Sequence, residues 1–251
     1  MIVTPVKTDI VTPESTSIPA LLDRHLSGFP DRSILAISSK IISLCEGRTA
    51  ALTEDREELI TREANYYLPI EHRHARFSGA ITHHAFIGAA GIDESNAAGH
   101  YVLLPKDSWV TAVSIHRYLI ERFGVRDAGV IVTDSHSTPL RRGASGISIA
   151  YHGFDALRDY RGTPDLFDRP LRMEQANIAD ALAAAAVLVM GEGSECTPIA
   201  VITDLPTINF NKNAPTDEDR AKFLVDPEND IFSPLFDFSR LRKGGSLEKK
   251  P

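Results

Sequence analysis

Cysteine is scarce in this 251-residue chain: Cys45 and Cys196 stand far apart, in no metal-ligand spacing. That excludes a disulfide framework and a cysteine zinc site, and it fits reduced thiols in a cytosolic protein. A basic excess is missing too. Against 34 Asp and Glu there are 27 Lys and Arg, for a formal net charge of −7. This excludes the basic surface of a general nucleic-acid binder, although a local basic pocket stays possible. No apolar run approaches membrane-spanning length; the alanine-rich stretch 179–190 is the longest and carries Asp180. The opening residues, MIVTPVKTDIVTP, lack the apolar core of a secretory signal. The expectation is a cytoplasmic, soluble protein with no membrane and no nucleic-acid partner. What is present is apolar material, 43% of residues, enough to bury a large core as one domain or two interlocked ones.

The pattern along the chain predicts α+β structure, mixed β-sheets with packed helices. A strand over Ile2–Val6 precedes a helix on ALLDRHL, with Pro19 in its first turn. Ser33–Ser38 reads as a buried strand leading straight into Ser39 and Lys40, where backbone N–H groups and an ammonium can meet phosphate. Thr53 is placed as the N-cap of a helix reaching about Tyr67, and Ser108 as the cap of a helix to about Phe123, closed by Gly124. A long helix over about 173–190, with four alanines in a row, implies close packing. Residues 1–240 are expected to form one ordered body, and 241–251 a tail that is disordered from Gly244 onward.

Three segments centre on acids. In VIVTDSHSTPLRRGASGISIA, a strand over Val130–Thr133 ends on Asp134, with Ser135 and His136 following and Arg141, Arg142 and Gly143 after a turn. A carboxylate takes a hard cation through oxygen, and guanidinium groups take phosphate or carboxylate oxygens; a polar hairpin with a solvated basic tip is the plainer alternative. In GAAGIDESN, small residues let the backbone approach a ligand while Asp93 and Asn96 project from one tight turn. In MGEGSECTP, two glycines flank Glu192 directly after the long helix, a loop that brings a carboxylate close to its target. A fourth cluster, EHRHARFSGAITHH, holds His72, His74, His83 and His84, and reads as a polar strand or, less simply, a histidine metal centre.

The series ILAISSKIISLCEGR, AAGIDESN, LLPKDSW, VIVTDSHSTPLRRGASGISIAYHG and LVMGEGSECTPIAV resembles the coenzyme F420:L-glutamate ligase (γ-glutamyl ligase) family, in order, over roughly residues 34–202. The resemblance implies a γ-glutamyl ligase-like fold assembled as an intertwined homodimer. It implies joining of L-glutamate to a small acidic acceptor, the coenzyme F420 precursor or a folate-like molecule. GTP, or ATP, would drive the reaction with Mg2+ or Mn2+ and a potassium ion. By the same resemblance Asp93, Asp134, Ser135 and Glu192 are metal ligands. Ser39, Lys40, Asn96, Met190, Gly191, Gly193, Ser194 and Glu195 are nucleotide contacts. Asp134 is catalytic, with Arg141 and Arg142 placed to hold the acceptor or glutamate carboxylates. The chain departs from the family pattern at Leu44, where Ser-Lys-Ala-Glu-Gly is usual, at Ala89 before the first aspartate, and near Thr8, where a glycine is missing. Two other readings stay open: a metal- and nucleotide-binding regulator without ligase chemistry, and a metallohydrolase using the histidines with Asp134.

Overall fold

The computed structural model describes residues 1–73, 78–235 and 237–248. The chain opens with β1 (Ile2–Val6), α1 (Ile18–His25), β2 (Ser33–Ser38) and α2 (Ser39–Cys45). β3 (Thr49–Ala51) and α3 (Arg56–Glu63) lead to β4 (Tyr66–Tyr67), β5 (Gly79–Thr82) and β6 (Ala85–Gly88). β7 (His100–Val102) precedes α4 (Ser108–Phe123), the hairpin of β8 (Ala128–Ser137) and β9 (Ala144–His152), then β10 (Leu157–Asp159) and β11 (Gln175–Asn177). α5 (Ile178–Met190), β12 (Ile199–Thr203), α6 (Asp217–Phe223) and β13 (Arg242–Lys243) follow. No helix among the described residues is long and apolar enough to cross a membrane.

The main sheet runs β1-β12-β2-β8-β9. Only β2 and β8 are parallel in it; its other neighbours are antiparallel. Its strands alternate faces with period two. Leu35, Ile37, Val130 and Val132 pack with Leu22, Ile115 and Leu119 from α1 and α4. Ile34, Ala36, Ile131 and Ile202 pack on the other face against Ala179, Leu182, Ala183 and Ala186 of α5. Of the four alanines in a row, Ala183 and Ala186 serve close helix-on-sheet contact, while Ala184 and Ala185 are only half-buried. Each fully buried Leu or Ile contributes roughly 1.5–3 kcal/mol, against ~0–1 kcal/mol for an exposed ion pair. The frame is therefore set by this two-sided burial. A second sheet, β13-β4-β5-β6, packs with α3 around Leu59, Ile60, Ala89, Ala90 and Leu103.

Several expectations need correction. The cap of α3 is Asp55, not Thr53: its carboxylate accepts from the N–H groups of Glu57 and Glu58. That helix stops at Glu63, because Ala64 turns extended and Tyr66–Tyr67 pair with β5, where aromatic residues fit better. Asp107, not Ser108, caps α4, accepting from Trp109 and Val110. α5 starts at Ile178 because Gln175–Asn177 pair with β10 and Asn177 is its cap. In the stretch from Gly244, expected to be disordered, Gly244 donates to the carbonyl of Asn65 (2.9 Å) and Ser246 to that of Ala64 (3.2 Å), while residues 249–251 lie outside the described residues.

The histidine segment is not one strand. His72 closes a short 3-10 turn. His83 and His84 form the two-residue connection of the β5–β6 hairpin, both at positive φ (50° and 56°). A tight hairpin of right-twisted strands demands that conformation, and histidine tolerates it better than most residues. His74 lies outside the described residues.

Candidate active site

β1, β2 and β8 point their C-terminal ends the same way, and β12 starts at that edge of the sheet. Loops leaving strands at one edge make a crevice there. The crevice holds a cavity of about 580 Å³, lined by residues 8–12 after β1, Ser38 at the end of β2 and Lys40 just after it, Thr133–Ser135 of β8, Met190 at the end of α5, and residues 191–198 leading to β12. Asp93, Ser95, Asn96 and Ala98 close it from the turn before β7.

Asp134 is not at the end of its strand, as expected, but inside β8, which continues to Ser137. What ends beside it is the partner. β2 pairs with β8 as far as Thr133, opposite Ser38. The chain there turns into α2, whose first residue, Ser39, donates its hydroxyl to Asp134 Oδ1 (3.2 Å). Burial pushes the Asp134 carboxyl up to about 6, against the partial help of the Ser135 N–H, the Ser39 hydroxyl and the Lys40 charge.

Asp93 is held differently. Burial works against its ionisation as well, but the Lys40 ammonium, 2.6 Å from Oδ2, and the N–H and hydroxyl of Ser95 outweigh it and keep the carboxyl below its usual range. Lys40 also donates to the Ser95 carbonyl and hydroxyl (both 3.2 Å). The small residues before Asp93 do not approach the cavity. Ala89 and Ala90 are buried, and Gly91, at φ +76°, leaves room for Leu104, whose Cγ would lie 2.6 Å from a Cβ there.

The glycine loop corrects a second expectation of close approach. Gly193 donates its N–H to Glu195 Oε2 (2.8 Å). A Cβ on Gly191 would lie 2.5 Å from the carboxyl carbon of Glu195. The glycines thus make room for the loop's own acid. Thr197 ties its hydroxyl to the Met190 carbonyl (2.5 Å), and Asn96 donates its amide to the Gly193 carbonyl (2.9 Å).

The structure therefore brings together Asp93, Asp134, Ser135, Glu192, Lys40, Asn96, Met190, Gly191, Gly193, Ser194 and Glu195 around one cavity, with Ser39 reaching it through Asp134. It does not bring in Arg141 and Arg142, which sit exposed at the β8–β9 turn outside that lining; Arg141 donates to the Leu140 carbonyl. His72, His83 and His84 are also outside it. Of the clustered histidines, none among the described residues shares this cavity with Asp134. Sequence reasoning missed Asp9, Ile10, Val11 and Ile41 in the lining. For residues 9–11 the signals were that they follow a strand and lie beside Thr8, where the family pattern carries a glycine; the edge on which they emerge is decided by long-range pairing.

The lining carries five carboxylate residues, Asp9, Asp93, Asp134, Glu192 and Glu195, and one cationic one, Lys40. Among the described residues, no three His, Cys, Asp or Glu side chains converge to hold a metal unaided. The donors are nonetheless hard oxygens, suited to a Mg2+-like ion that keeps water or phosphate in most of its coordination positions.

The F420-0:Gamma-glutamyl ligase family profile matches residues 58–204. A coenzyme F420:L-glutamate ligase of Halobacterium salinarum is 33% identical over 209 residues, covering 74% of this chain and 80% of that protein. That of Methanopyrus kandleri is 43% identical over 145 residues, covering 57% and 56% respectively. That of Methanocaldococcus jannaschii is 38% identical over 153 residues, covering 60% and 58%. The motifs, the cavity they line and these similarities agree: the chain belongs to the F420-0:gamma-glutamyl ligase family.

Proposed function

We propose that this chain joins L-glutamate to a carboxylate of a small acidic acceptor, with GTP or ATP as the energy source. The observation that carries this reading is the acid-rich cavity with its single ammonium. Polyphosphate and two acidic substrates enter such a site only with cations of their own, as metal-nucleotide complexes do.

Amide formation from a carboxylate is uphill in water. The acceptor carboxylate attacks the γ-phosphorus, giving an acyl phosphate and releasing the nucleoside diphosphate. The glutamate amine then attacks the acyl carbon, inorganic phosphate leaves, and the amine proton passes to solvent. Asp93, Asp134, Ser135 and Glu192 would hold Mg2+ or Mn2+, which when bound neutralises charge on the phosphate oxygens. Lys40 fixes Asp93 in its ionised form, while Ser39 orients Asp134. The glycine loop and Asn96 wall the phosphate end.

The assembly we infer is a homodimer. α5 is apolar around most of its circumference yet leaves Leu188 83% exposed, which is unusual for such a helix in isolation. The β8–β9 tip likewise holds out Leu140 beside Arg141 and Arg142. In that assembly these arginines would meet the acceptor from the neighbouring copy.

The test is phosphate release from GTP and from ATP with Mn2+, with and without potassium chloride, L-glutamate and an acceptor panel of deazaflavin precursor, folate and dihydrofolate. Release that requires both glutamate and one acceptor, with a product heavier by one glutamyl unit, is expected. Tight nucleotide binding with no release across the panel would replace the ligase with the regulatory reading.

A further inference from the structure

The register of β8 against β9 slips in the middle of the hairpin. Val132 lies opposite Ala150, but Thr133 lies opposite Ser148, leaving Ile149 without a partner. A bulge of this kind changes which residues of one strand face a given side. Here Ile149 and Ala150 both join the core beneath α4, and Gly146 is turned toward α5. The helix uses that opening: a Cβ on Gly146 would lie 2.4 Å from the Ala183 carbonyl and 2.7 Å from Val187.

The same bulge is bonded to the start of α5. Asp180 Oδ1 accepts the backbone N–H of Ser148 (2.9 Å), and Oδ2 accepts the amide of Asn177 (2.6 Å), whose own oxygen caps the Asp180 N–H (3.0 Å). α5 is thus fixed to β9 at its first turn by hydrogen bonds and near its middle by direct contact. Its last turn is part of the cavity wall: Val187 and Met190 line it, and Gly191, Glu192 and Gly193 follow at once.

We propose that Asp180 is a positioning residue. By tying the first turn of α5 to the bulge that follows Val132, it sets where the helix delivers the glycine loop relative to Asp134. The bulge, on β9, lies across from Thr133, the residue before Asp134 on β8, so one structural feature registers both the strand acid and the loop acid. The kinetic consequence rests on the ligase reading; the structural consequence does not.

The experiment uses the full chain with Asp180→Ala, Asp180→Asn and Asp180→Glu. Amide hydrogen exchange of residues 191–197 is read beside β2 and β12 as internal references. In Asp180→Ala these loop amides lose at least about tenfold protection while the reference strands do not. Asp180→Asn keeps the acceptor for Ser148 and restores most of it. Asp180→Glu, which keeps the charge but lengthens the tether, loosens the loop in a chain that folds even where the alanine variant does not. In the phosphate-release assay Asp180→Ala lowers kcat about tenfold or more, as a misplacement of an ångström can do, and Asp180→Asn recovers it. Faster exchange confined to residues 178–182, or equal losses across all strands, would overturn the proposal. A wild-type chain with no ligase activity would defeat the functional reading instead, leaving the exchange result to decide this one.

Discussion

Two of the cavity's acid-bearing walls are built on opposite principles. The sheet wall presents Asp134 from the middle of a ten-residue strand, with hydroxyl and N–H partners but no cation in contact, and its carboxyl is pushed up to about 6. The turn wall presents Asp93 with an ammonium at 2.6 Å, and its carboxyl lies below the ordinary range. The first acid is an uncompensated charge on a rigid frame, and the second is a compensated charge on a turn. Stored electrostatic cost at a functional position is a common trade against stability. The contrast implies that the same kind of substitution, removing a charge, moves stability in opposite directions at the two walls.

The largest expected effect is at Asp134. Its pKa is raised from 3.8 unfolded to about 6 folded. Between those values the folded chain keeps a proton the unfolded chain has lost, so stability falls as pH rises through this window, and the full cost is present above it. Asp134→Asn removes that cost and still accepts from Ser39. Activity should drop on the order of 10³-fold or more, while stability at pH 8 rises by about 2 kcal/mol. Urea unfolding of both chains at pH 8 reads the second quantity; an unchanged or lowered stability would remove the idea that this acid is held at a cost.

The turn wall should behave the other way. Lys40→Met leaves Asp93 with only its Ser95 contacts. Asp93 has a depressed carboxyl pKa, so its contribution is present at neutral pH and lost as pH falls through its folded value. The pair is partly open to water, with 27% and 43% side-chain exposure, so the loss is small, about 1 kcal/mol. Turnover should fall about tenfold to a hundredfold. A Lys40→Met chain that gains stability, as Asp134→Asn does, would erase the distinction between the walls.

A pair of titrating groups away from the cavity supplies a control. His116 and His152 stack edge to face at 4.3 Å, both nearly inaccessible. Burial, then the neighbouring His116, pulls His152 down to about 4, and its Nδ1 has no partner. The unfolded chain takes up a proton near 6.5 that the folded one refuses until about 4. Stability is therefore complete above 6.5 and is lost as pH falls toward 4, by roughly 3 kcal/mol. Unfolding measured from pH 7.5 to 4.5 should show this slope in wild type and a flatter one in His152→Phe. Identical slopes would show that acid sensitivity has another source.

The sequence was readable where a residue's role is local. The strand–Ser–Lys junction, Pro19 in the first turn of α1 and Gly124 at the end of α4 stand where their chemistry suggests, and the acids of all three motifs line one cavity. It was misleading where a role depends on what arrives from elsewhere. The glycines around Glu192 looked like a place for a ligand, yet Glu195, three residues on, fills the space. The four-histidine segment was the most conspicuous run in the chain, yet its last two members serve a tight turn. Arg141 and Arg142 follow Asp134 closely in sequence, but an antiparallel hairpin carries them away from it. The bulge at Ile149 leaves no local mark, because it is decided by pairing between strands and by a helix that begins nearly thirty residues later.

Leu44 tests how far the turn wall's reliance on Lys40 extends. It is 2% exposed yet contributes to the lining, on the same short helix as Lys40. A lysine here can keep its stem in the apolar site and turn its ammonium toward the carboxylates. Leu44→Lys should then lower the nucleotide KM by roughly threefold to tenfold, worth about 1 kcal/mol of binding, and cost about 1–2 kcal/mol of stability through the altered packing. The combination with Lys40→Met decides the point. If the new ammonium restores turnover in the double variant, the cavity needs one cation at this end and accepts it from either position. If Leu44→Lys only destabilises, and the double variant is as inactive as Lys40→Met, then what matters is the direct bond between Lys40 and Asp93, and Leu44 belongs to the core that holds α2 beneath it.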